Sequence, residues 1–103
     1  MEAVSIYLTC KDLKEAKKIS TELLKDKLVV CANIFPVSSL YWWKGKMETG
    51  SEAAVIFKTT RNKVKTAERI IKKWHSYELP SYAVRKIEVS KDVMKWLNNE
   101  LNN

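Results

Sequence analysis

The chain has 103 residues, 46% apolar and 30% charged, and carries a net charge of +7. That length and balance fit one folded domain, residues 1–103, and exclude a disordered chain. No apolar run approaches the roughly 20 residues of a membrane-spanning helix. The start, Met1-Glu2-Ala3-Val4, lacks a basic stretch leading into an apolar one, so the expectation is a cytoplasmic protein with no membrane partner. Cys10 and Cys31 then read as reduced, buried thiols. The positive charge comes from 16 Lys and only 3 Arg. A basic chain attracts nucleic acid and anionic metabolites, but Arg, the bidentate phosphate ligand, is scarce.

Residues 4–8 alternate apolar and polar and predict a first strand. Asp12 followed by Glu15 is a capping-box variant that opens a helix with an inner stripe of Leu13, Ala16, Ile19, Ser20 and Leu23, ending near Lys27. Residues 29–43 and 46–59 predict two long strands joined by a two-residue turn, Lys44-Gly45. In that register Trp43 opposes Lys46 and Trp42 opposes Met47. Ala32, Ile34, Leu40, Trp42, Met47, Val55 and Phe57 share one face, and Asn33, Tyr41, Glu48, Glu52 and Lys58 the other. Pro36 marks the first arm as an edge strand and, with Gly50, predicts a bend or bulge. Thr60 is placed to cap a second helix with Val64, Ala67, Ile70, Ile71 and Trp74 inside, stopping near His75. Pro80 ends helical geometry, and residues 82–89 alternate as a fourth strand. Ser90 caps a short last helix carrying Val93, Met94, Trp96 and Leu97. The tail from Asn98 to Asn103 should fray.

The order β-α-β-β-α-β-α predicts an α+β fold: a ferredoxin-like split βαβ sandwich with a long hairpin between strands two and three and a short C-terminal helix. In that plan the strands bearing Cys10 and Cys31 are not neighbours, so no disulfide is expected. Each hairpin arm, at ~3.3 Å per residue, spans roughly 45 Å. A compact domain of this size has a radius of gyration near 13 Å, hence a diameter of about 34 Å. The arms overhang, and a projecting hairpin is marginal alone. Packing against further copies would cover Tyr41, Trp42 and Trp43, so a homo-oligomer is expected. Trp42 is assigned to the core and Trp43 to the neighbouring subunit.

Chemistry is less visible. His75, the single histidine, reads as a C-cap, a metal ligand or a proton shuttle. No CxxC or HxxxH spacing exists, so a metal site would have to be assembled in space. Glu48 and Glu52 with Lys46 and Lys58 read as cross-strand ion pairs or an acid/base cluster. There is no nucleophile motif and no phosphate-binding Gly-rich loop, so no enzyme is expected. An RNA-binding ferredoxin-like module shares the element order, and Tyr7 echoes its first aromatic position. Residues 50–57 lack its basic-Gly-aromatic platform, however, and no nucleic-acid partner is expected.

Several blocks resemble one family, the CutA divalent-cation tolerance proteins. Residues 28–36 are similar to its Leu-x-Ala-Cys-x-Asn stretch. Residues 39–46 resemble its Tyr-x-Trp-x-Gly-Lys block, and 52–59 its Glu-…-Lys-Thr strand. His75-Ser76-Tyr77-Glu78-Leu79-Pro80 is similar to His-Pro-Tyr-Glu-x-Pro, and Trp96 to the closing Trp. The resemblance implies a cytoplasmic homotrimer with interlocked hairpins, tolerance of divalent metal and copper binding, on a plan like that of the P-II signalling proteins. The family's proposed metal ligands fall on Leu8, Trp74 and His75, of which only His75 can ligate; Cys10 lies two residues past Leu8 on the same face. The expected cofactor is therefore none, or a divalent metal such as copper at His75. The alternative is a P-II-like sensor of a small anionic metabolite. Its inter-subunit cleft would be formed by Lys46, Glu52, Lys58, Tyr77 and Glu78.

Overall fold

The computed structural model describes residues 2–103. Strand β1 is Ala3–Cys10, followed by helix α1, Leu13–Lys25. The hairpin strands are β2, Cys31–Trp43, and β3, Lys46–Thr60. A 3-10 turn, Arg61–Lys63, leads into α2, Val64–Trp74; β4, Tyr82–Lys86, and α3, Lys91–Glu100, complete the chain. The sheet order β2-β3-β1-β4 is fully antiparallel, the predicted split βαβ plan. Cys10 and Cys31 lie on non-neighbouring strands and are free.

The core follows from alternation. Ile6, Leu8 and Cys10 of β1 and Ala53, Val55 and Phe57 of β3 point to one face and are fully buried. Against them pack Ala16, Ile19 and Leu23 of α1 with Ala67 and Ile71 of α2. Leu97 and Leu101 meet Ala3 in a second, smaller cluster. Ala3 alternates with Val4, so α3 serves the opposite face of the sheet.

The hairpin register is the predicted one, from Cys31 opposite Lys58 to Trp43 opposite Lys46. The bulge expected at Pro36 and Gly50 is absent: Pro36 pairs with Ala53 and Gly50 with Ser39 in unbroken succession. Because β2 is an edge strand, Pro36 needs no N–H partner on its outer side. Lys44 and Gly45 have φ of 50° and 80°, both left-handed, as a type I′ turn requires.

Four further expectations are corrected. Leu13 is exposed, and Glu15 takes a buried place instead, held by polar partners. Thr60 precedes the 3-10 turn without capping it; its hydroxyl pairs with Asn62. The tail is anchored: Leu101 is buried, and Asn103 donates to Thr60 at 2.9 Å. Trp42 keeps its predicted face opposite Met47 but does not reach the core. Trp42 lies on the core-side face but beyond the helices and is 73% exposed, while Trp43 is partly covered.

Candidate metal centre and cleft

Three elements converge where α2 ends. Asp12 caps α1 by accepting the Glu15 N–H at 2.8 Å. The Glu15 carboxylate turns back and accepts the Lys11 N–H at 3.1 Å, one residue earlier than in the usual capping box. Its second oxygen accepts the Ser76 N–H at 3.0 Å. His75 leaves α2 in extended geometry, with its own N–H still bonded to Ile71 O. Its side chain is fully buried. The ring therefore does not cap α2, as one sequence reading had it. Nε2 lies 2.7 Å from Thr9 O at the end of β1, and Nδ1 accepts the Tyr77 N–H at 3.1 Å. A carbonyl partner fixes Nε2 as the protonated nitrogen and leaves Nδ1 its lone pair.

Nδ1 sits 4.0 Å from Glu15 Oε1. One donor atom each from Cys10, Glu15 and His75 lies within 4.8 Å of the others. Burial opposes ionisation of Glu15, but the Ser76 and Lys11 donors outweigh it and hold the carboxyl below its ordinary range. Burial, reinforced by the negative charges of Glu15, Asp12 and Glu52, pushes the Cys10 thiol up to about 12. A sulfur, an imidazole nitrogen and a carboxylate make a mixed donor set suited to zinc or copper. The Nε2–H to Thr9 contact is the outer hydrogen bond that metal-ligating histidines need to fix ring and tautomer. The residues fit a divalent cation. The two other family positions supply nothing: Leu8 is buried core, and Trp74 lies under the Lys18 ammonium, 4.7 Å from the ring centroid.

Beside this cluster, Ser76 to Leu79, Ser81 and the hairpin line a cleft of about 740 Å³. Its walls include Tyr41, Trp42, Trp43, Glu52, Tyr77 and Glu78. The Tyr77 hydroxyl donates to Glu52 at 2.6 Å, and burial together with that carboxylate raises its pKa. Glu78 pairs with Lys44 at 3.4 Å, and the Lys44 ammonium stands 5.5 Å from the Trp43 centroid.

Of the residues expected at an inter-subunit cleft, Glu52, Tyr77 and Glu78 line this cleft within the one chain. Lys46 and Lys58 are not in its walls: Lys46 is at the hairpin tip, and Lys58 pairs with Cys31 and Ser5 at the far end. Among the site residues, Glu15 was missed. Its sequence signal was the capping spacing, which carries no trace of a partner at Ser76.

A sequence profile of the CutA1 divalent ion tolerance protein matches residues 4–100. A divalent-cation tolerance protein CutA of Thermococcus kodakarensis is 38% identical over 98 residues, covering 94% of both chains. The CutA of Archaeoglobus fulgidus is 39% identical over 94 residues, covering 90% of this chain and 92% of that one. A solved structure from A. fulgidus, described as a periplasmic divalent cation tolerance protein, superposes with a TM-score of 0.93 at 37% identity, covering 96% of this chain and 98% of that one. CutA1 of Pyrococcus horikoshii gives 0.89 at 33% identity, covering 94% and 96%. With profile, relatives and fold in agreement over nearly the whole length, this chain belongs to the CutA divalent-cation tolerance family.

Proposed function

We propose that this protein is a non-enzymatic, cytoplasmic homotrimer that handles divalent cations, holding zinc or copper through His75, Cys10 and Glu15. The observation that carries the reading is the convergence of three different donor types, from β1, α1 and the end of α2, within 4.8 Å. Relatives named for divalent-cation tolerance supply the cation class. A bound cation provides the positive charge that favours a thiolate over a thiol. Until then Cys10 stays protonated, which also makes it a poor nucleophile. Free cysteines suit a reducing compartment. Assembly is supported by the exposed apolar side chains of the hairpin, Leu40, Trp42 and Met47. The number three follows from the family resemblance alone.

Titration calorimetry with Zn²⁺ and Cu²⁺ tests the site. The wild type should bind one ion per chain, and His75→Ala and Cys10→Ser should each weaken binding at least about tenfold. Equal binding by all three proteins would remove these residues from the site.

A further inference from the structure

The donor atoms of the proposed site also hold the cleft wall in place. His75 Nδ1 has a single lone pair, and the Tyr77 N–H already occupies it at 3.1 Å. Nε2 is committed to Thr9 O. Either ring nitrogen can turn to a cation only by giving up a backbone partner, and Nδ1 is the one within 4.0 Å of Glu15. Tyr77 is thus held at two points, its N–H on His75 and its hydroxyl on Glu52. Its neighbour Ser76 is held by Glu15. Ser76, Tyr77 and Glu52 all line the cleft. A carboxylate oxygen can keep an N–H partner while ligating, because it has more than one lone pair; the imidazole nitrogen cannot.

We infer that a divalent cation and the Tyr77 N–H compete for His75 Nδ1, so that cation binding at Cys10, Glu15 and His75 frees Tyr77 in the cleft wall. The inference rests on the metal-binding reading and adds its consequence: the cleft reports cation occupancy. The coupling is reciprocal. Whatever loosens Tyr77 from the hairpin must tighten cation binding, without any change to a ligand.

Two measurements with Zn²⁺ test this. Amide hydrogen exchange at Tyr77 should speed up about tenfold at saturating zinc in the wild type. Tyr77→Phe, which keeps the N–H but removes the hydroxyl from Glu52, should bind zinc several-fold more tightly. Zinc binding with Tyr77 exchange unchanged or slowed, or with Tyr77→Phe at wild-type affinity, would overturn the coupling and leave the metal site standing. Failure of the wild type to bind zinc in calorimetry would overturn both.

Discussion

Glu15 closes the first turn of α1 on Lys11 and also reaches Ser76, 61 residues away. Two N–H groups depend on it, so Glu15→Gln, which keeps one acceptor and turns an amide toward the other donor, should cost about 1–3 kcal/mol at neutral pH. Its folded pKa lies below the ordinary 4.5. The carboxylate's contribution is therefore complete above pH 4.5 and is lost as pH falls through the lowered folded value. The gap in melting temperature between wild type and Glu15→Gln should narrow on acidification below that point; a constant gap would show that Glu15 ionisation does not support the fold. The first half of this residue's role was legible in the sequence, because Asp12 and Glu15 stand at capping distance. The second half was not, since nothing local to Glu15 names Ser76. His75 was legible as a candidate by its singularity, but Cys10 as its neighbour needed the turn of the chain between β1 and α2.

At the scale of elements, period-two alternation fixed the sheet. Lys44-Gly45 set the hairpin register through its two left-handed residues. Pro36 pointed to a bulge because it cannot donate a ladder hydrogen bond; at a sheet edge that loss faces outward, so the ladder continues. The tail reads as fraying because a polar run gives no sign that Leu101, the C-cap of α3, packs with Leu97 and Ala3. Leu101 is 1% exposed in the cluster with Leu97 and Ala3. Leu101→Ala should accordingly destabilise by about 2–3 kcal/mol in chemical denaturation, and a change below about 0.5 kcal/mol would mean that the tail is loose after all.

The whole molecule measures 44 × 24 × 21 Å, and the long dimension agrees with the roughly 45 Å expected of the hairpin arms. Leu40, Trp42 and Met47 stand 72%, 73% and 65% exposed, a patch that assembly would cover. Light scattering should return three times the 12.0 kDa chain mass, and Trp42→Glu should shift the distribution toward the monomer. A wild-type monomer would contradict the assembly reading. The sequence pointed to an oligomer from chain length and exposed rings, yet put Trp42 in the core, since alternation tells the face and not how far the core extends. The central claim is that the three donors act as one cation site. Anomalous diffraction from zinc-soaked crystals tests it most directly. The predicted result is a peak per chain bounded by Cys10 Sγ, Glu15 and His75 Nδ1. A peak confined to other residues, or none in that triangle at full soak, would contradict it.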